Sequence, residues 1–137
     1  MDTVSLWKDI TRTRPKFPAL SKDLTADVLI IGGGITGITC ALELTRRGMK
    51  VVLLEAQSIS GGTTGYSTGN LYTATQPYYK DIVSKFDIDT ARIVAQSRKN
   101  AIDYIEKNVN ENNIDCGFMR RPWYIYQQKE RKITATR

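Results

Sequence analysis

The sequence predicts an α/β fold built on parallel strands, and three observations carry that expectation. Two short apolar runs, DVLII at 27–31 and KVVLLE at 50–55, are rich in branched side chains and read as fully buried strands. The glycine-rich stretch GGGITG at 32–37 follows the first run directly. An amphipathic stretch from Gly37 to Arg47 fits between the runs as a helix. Strand, tight turn, helix and strand within about 30 residues make a βαβ unit, whose crossover is expected to be right-handed.

Taken in order, residues 1–26 read as an irregular leader punctuated by Pro15 and Pro18, with Trp7, Phe17 and Leu20 as anchors onto the domain. The uncharged run from Val28 to Leu42 is too short and too glycine-rich to span a membrane, which takes about 20 apolar residues. In the first helix Ile38, Ala41, Leu42 and Leu44 face inward, and Gly48 follows the last turn. Arg46 and Arg47 suit the negative end of its dipole. Glu55 closes the second strand. The stretch AQSISGGTTGYSTGNLY at 56–72 is a second loop rich in glycine and hydroxyl groups. A long amphipathic helix is expected from Thr90 to Asn112, capped by Asp89 or Thr90, with Ala91, Val94, Ala95, Ala101, Ile102, Ile105 and Val109 on one stripe. It is expected to pack against the domain formed by the strands. RPWYIYQQ at 121–128 reads as a further strand with aromatic packing residues.

The chain has 137 residues, a hydrophobic content of 41% and a charged content of 25%, ordinary values for a soluble globular domain. Its N-terminal run has charges throughout and no apolar core, so no signal peptide is expected and the location is expected to be cytoplasmic. Cys40 and Cys116 lie far apart, with no CxxC pair and no histidine. They read as reduced thiols in or near the core, and no metal site is expected. Part of the net charge of +6 sits in KERKITATR at the end of the chain. The remaining cations are scattered, without the aromatic-lined basic stripe of a nucleic-acid surface, and no nucleic-acid partner is expected.

Gly32, Gly34 and Gly37 fit GxGxxG, and each place explains its residue. Gly32 permits the sharp exit from the strand. Gly34 lets the backbone approach a pyrophosphate, and Gly37 lets the helix pack closely on the strand. The helix N-terminus then faces the phosphates. Glu55 stands where a carboxylate accepts hydrogen bonds from both hydroxyls of a ribose. The loop after Glu55 distinguishes between dinucleotides, because a nicotinamide domain would ordinarily proceed to another helix and strand. Thr63 and Thr64 can line a pyrophosphate, and Ser67 to Asn70 can pass beside a flat ring. A plain surface loop is the alternative reading of this stretch. Spacing assigns no role to Tyr66, Tyr72, Tyr78 or Tyr79, and no residue emerges as catalytic.

ADVLIIGGGITGITCALELTRRGMKVVLLEA followed by GGTTGYSTGNL resembles the start of the FAD-dependent oxidoreductases of the D-amino acid oxidase and glycine oxidase type. SLWKDITRTRPKFPAL and IDCGFMRRPWYIY are most similar to a bacterial subgroup, some of whose members add a C-terminal Rieske iron–sulfur domain. The resemblance implies a Rossmann-like FAD-binding βαβ unit, followed by helices and the beginning of a substrate domain. It implies a leader at 1–26, a partial FAD-binding domain at 27–116 and the start of a substrate domain at 117–137. It also implies FAD as cofactor, held by the turn Gly32, Gly33, Gly34, Ile35, Thr36 and Gly37, by Glu55 and Ala56, by Gly62, Thr63 and Thr64, and by Ser67, Gly69, Asn70 and Leu71. The implied reaction is oxidation of a small amine or amino acid at its C–N bond by hydride transfer to flavin. Proteins of this family are usually more than twice as long, so the chain reads as an N-terminal portion that needs a C-terminal half or a partner subunit, and that is inactive alone. A nicotinamide-dependent dehydrogenase domain and a non-catalytic FAD-binding remnant are the alternatives.

Overall fold

Val28–Ile31 and Val51–Leu54 form two parallel strands in a computed structural model of the chain, which describes residues 4–11, 15–74, 78–122 and 124. The chain divides into two units, Met1–Asn70 and Leu71–Arg137. In the first, helix α1 (Leu6–Ile10) precedes strand β1 (Val28–Ile31), helix α2 (Ile35–Arg46), strand β2 (Val51–Leu54) and a 3₁₀ helix (Thr63–Tyr66). Val28 pairs with Val51 and Ile31 with Leu54, with α2 as the connection, so the expected α/β fold with a βαβ unit is present.

β1 stops at Gly32, which takes φ +103° and turns the chain out of the sheet. α2 begins at Ile35, two residues before the expected start at Gly37. Gly34 is the extended N-cap residue, and the Ile35 N–H is satisfied by the Thr64 hydroxyl 3.1 Å away. That partner lies far along the chain, which is why local pattern placed the boundary late. At the other end Gly48, at φ +79°, terminates α2 as expected: its N–H reaches Thr45 O at 2.9 Å and the Met49 N–H reaches Leu44 O at 3.1 Å.

The strands are not fully buried, contrary to the sequence reading. Leu29 is 55% exposed and Ile31 83% exposed, while Val28 and Ile30 are partly covered. The cause is one-sided packing. Ile30 points at Gly37 of α2, and strand side chains alternate, so Leu29 and Ile31 stand on the other face. Within α2, Ala41, Leu42 and Leu44 are half-buried as expected but Ile38 is exposed. Cys40 and Cys116 are both exposed rather than in the core. Cys40 shares the outward stripe of Thr36 and Glu43, and Cys116 lies in the exposed run after the last helix.

The second unit contains α3 (Tyr79–Lys85) and α4 (Ile88–Glu111), which pack on each other. The sequence reading missed α3, whose Asp81 carboxylate accepts the Tyr78 N–H at 3.0 Å in its first turn. α4 starts earlier than expected. Its N-cap is Asp87, not Asp89 or Thr90, because the Asp87 carboxylate accepts the Thr90 N–H at 2.6 Å. Ala91 is buried and Val94, Ala95, Ile102, Ile105 and Val109 are half-buried, whereas Ala101 is exposed. Within this unit the stripe packs on α3. Beyond α4, Arg120 donates to Glu106 at 2.6 Å and to Asp103 at 2.6 Å, tying the exit segment back to the helix. Of the strand expected at 121–128, residues 121, 122 and 124 are described and are not in a strand, and the others lie outside the described residues.

Candidate functional site

The glycine turn, the residue ending β2 and the hydroxyl-rich loop meet at the N-terminus of α2. Glu55 is exposed just beyond β2, and its carboxylate accepts the Gly33 N–H at 2.7 Å and the Gln57 N–H at 2.9 Å. These backbone donors, Gly33 first, hold its carboxyl below the usual carboxylate range. Two of about four lone-pair positions are thereby used, and the rest can accept ribose hydroxyls.

Thr64 Oγ1 accepts from Ile35 N, so its hydroxyl proton remains available to an acceptor such as a phosphate oxygen. The Ser60 N–H donates to Gly33 O at 2.9 Å and closes the second link between the two loops. The loops approach closely at Gly33, where a Cβ would stand 2.5 Å from Ile59 Cδ1 and 3.3 Å from Glu55 Cβ, while a Cβ on Gly34 would make ordinary contact with Thr64 Oγ1 at 3.4 Å. Gly34 caps α2 without a side chain of its own, which leaves first-turn N–H groups facing outward. Open backbone, outward N–H groups and an adjacent acid fit the ADP portion of a dinucleotide.

Gly32, Gly33, Gly34, Ile35, Thr36, Gly37, Glu55 and Thr64 are thus brought together, with Thr63 exposed at the first position of the 3₁₀ helix. Ala56 is exposed next to Glu55, and Gly62 is the N-cap of the 3₁₀ helix. Ser67 and Gly69 lie further along the same loop, Gly69 at φ +70°. Asn70 and Leu71 fall on either side of the division between the two units.

The leader is not wholly irregular. α1 forms over Leu6–Ile10 and lies on the 3₁₀ helix, with Ser5 as its N-cap. Trp7 is an anchor as expected, but Phe17 and Leu20 are largely exposed. Sequence reasoning missed Ser5 and Lys8. A serine three residues before Lys8, with Asp9 in the first turn, is a helix-start signal that could have found both. Among the described residues no helix is long and apolar enough to cross a membrane, and no His, Cys, Asp and Glu group could hold a metal ion.

The Glu55 geometry sets a pH dependence. Because the folded carboxyl titrates below its ordinary range, its contribution to stability is complete above that range and is lost as pH falls through the lowered value. Urea unfolding of the wild-type chain and Glu55→Gln across an acid series is expected to show a stability gap at neutral pH that closes on acidification. A gap independent of pH would show that the charge of Glu55 is not what Gly33 and Gln57 hold.

Comparison with known proteins gives a consistent result. The family model described as FAD dependent oxidoreductase (DAO) matches residues 27–137. A putative Rieske 2Fe-2S iron-sulfur protein, YhfW, of Bacillus subtilis is 42% identical over 127 residues, covering 93% of this chain and 25% of its own length. Gamma-glutamylputrescine oxidoreductase of Escherichia coli is 32% identical over 120 residues, covering 88% of this chain and 28% of its own length. Mitochondrial glycerol-3-phosphate dehydrogenase of Bos taurus is 36% identical over 80 residues, 58% of this chain and 11% of its own length. The chain therefore spans about a quarter of the length of the first two relatives. No solved structure matches it significantly.

Proposed function

The chain belongs to the FAD dependent oxidoreductase family, and from that membership we propose that it carries the FAD-binding segment of an enzyme oxidising an amine or amino acid at a C–N bond. FAD is the family's cofactor, so the nicotinamide alternative falls. The observation that supports the site assignment is the pair of bonds from the Gly33 N–H to Glu55 and from the Ile35 N–H to Thr64, which join both glycine loops and the terminal acid at one helix end.

In this reading Gly32 to Gly37 and Thr64 hold the pyrophosphate, with Thr63 and Gly62 beside it. Glu55, next to Ala56, accepts the ribose hydroxyls. Ser67, Gly69, Asn70 and Leu71 pass the flavin ring. The cofactor domain extends over 27–116, and 117–137 opens the substrate domain. Hydride acceptance from the carbon next to nitrogen is the chemistry that FAD supplies when bound. The residues of this chain bind and orient. The amine assignment is supported by the name of the Escherichia coli relative, which covers 88% of the chain; the glycerol-3-phosphate dehydrogenase match, to an alcohol-oxidising protein, covers 58%. Anaerobic bleaching of the flavin absorbance in the full-length protein by amines or amino acids, and not by glycerol 3-phosphate, tests it. Bleaching by the alcohol alone would overturn it.

Glu55→Ala is expected to weaken FAD binding by at least about tenfold, since charge-assisted hydrogen bonds to two hydroxyls are lost. Helix content by circular dichroism is expected to stay unchanged. Unaltered FAD affinity in a titration would confine Glu55 to bracing the turn at Gly33 and Gln57.

A further inference from the structure

Three residues from one short N-terminal segment hold three different carbonyls of the second glycine loop. Ser5 Oγ donates to Gly65 O, Trp7 Nε1 donates to Ser67 O at 2.6 Å, and Lys8 Nζ donates to Gly61 O at 2.7 Å. The Lys8 ammonium also stands 3.9 Å from the centre of the Tyr66 ring. The Trp7 indole lies so close to Gly69 that a Cβ there would approach Cζ2 to 2.6 Å. α1 thus braces the loop from 61 to 69 along one side.

Each tether fixes a peptide plane as well as a position. In a trans peptide the C=O and the following N–H point in opposite directions. Holding Gly61 O and Ser67 O toward α1 turns the N–H groups of Gly62 and Thr68 away from it. Within the loop, the Gly65 N–H donates to Gly62 O at 3.0 Å and the Ser67 N–H to Thr64 O at 3.3 Å, but these bonds do not engage the Gly61 or Ser67 carbonyls. Residues 67–70 make one internal side-chain bond, from the Gly69 N–H to Ser67 Oγ at 3.3 Å. A glycine-rich loop without external ties would lose much of its order to conformational entropy.

We propose that Trp7 and Lys8 are positioning residues for the cofactor, Trp7 for its flavin end and Lys8 for its pyrophosphate, acting as a strap that presets loop 61–69. This rests on the reading that the loop passes FAD. Trp7 holds the Ser67 carbonyl beside Gly69, in the stretch that passes the flavin, whereas Lys8 holds the Gly61 carbonyl next to Gly62, Thr63 and Thr64, which serve the pyrophosphate in that reading. The two ties therefore act on different parts of the ligand.

Titration of the whole chain with FAD and with ADP, in wild type, Trp7→Phe and Lys8→Met, separates the possibilities. Wild type is expected to bind FAD more tightly than ADP. Trp7→Phe is expected to lower FAD affinity by about two- to tenfold, the effect of one neutral hydrogen bond, and to leave ADP affinity unchanged. Lys8→Met is expected to weaken both ligands, and Lys8→Arg, which keeps a donor and a cation, to restore both. A Trp7→Phe variant that loses both ligands alike, or neither, or a Lys8→Met variant that loses neither, overturns the strap while leaving the proposed function standing. A wild-type chain that binds neither ligand overturns the proposed function and the strap's cofactor role with it.

Discussion

Gly37→Ala is expected to destabilise the first unit by about 1–3 kcal/mol or more, the range for forcing volume into a packed interface. The added Cβ would stand 2.0 Å from Gly32 O and 3.4 Å from Ile30 Cγ2. The first obstacle is backbone, so no rotamer change relieves it. Gly32 cannot easily yield either, because its N–H is bonded to Leu54 O at 2.7 Å and its φ of +103° is open chiefly to glycine. α2 must therefore move off β1, taking with it the helix end that meets Glu55 and Thr64. Gly62→Ala is the matched control: a Cβ there meets nothing within 4 Å, and its φ of −87° is ordinary. Its effect is expected to stay within about 0.5 kcal/mol. Urea unfolding of the two variants checks the contrast, and equal midpoints would mean that the close crossing at Gly37 does not bear on stability.

The same crossing shows what was legible in the sequence. Gly32 and Gly37 were readable because each satisfies a local demand: a left-handed turn and a close approach to a strand. Gly48 was readable for the same reason. Features fixed by distant partners were not. The start of α2 depends on Thr64, and the helical leader depends on carbonyls some sixty residues away, from Gly61 to Ser67. Apolar character alone predicted buried strands, cysteines and leader anchors. Leu29, Ile31, Cys40, Phe17 and Leu20 are nonetheless exposed, since burial depends on what covers a face and not on the residue's own preference. Asp87 was passed over as a cap because Asp89 and Thr90 follow it so closely, and only the bond to the Thr90 N–H separates the three. Glu55 was legible as the acid that closes the second strand, but its bracing of Gly33 and Gln57 was not.

Measured as it stands, the 137-residue chain is expected to bind FAD reversibly and to oxidise no amine. In the proposed function, binding of the ADP portion draws on Gly33, Gly34, Glu55 and Thr64, which are already assembled by hydrogen bonds within the first unit. The flavin end meets a different environment. Ser67, Gly69, Asn70 and Leu71 are all exposed, and β1 presents Leu29 and Ile31 to solvent. Ala91 is the one buried hydrophobic residue among those described, so neither unit encloses a dry chamber from its own side chains. Parallel sheets ordinarily have both faces covered, and here α2 lies on one face of a two-stranded sheet. Water at the ring weakens every electrostatic contribution that orients an amine and stabilises developing charge. Gel filtration is expected to strip the flavin from the chain, while equilibrium titration still detects it. Stoichiometric FAD after gel filtration together with turnover of an amine would overturn this expectation, and would require that copies of the chain complete one another's sites.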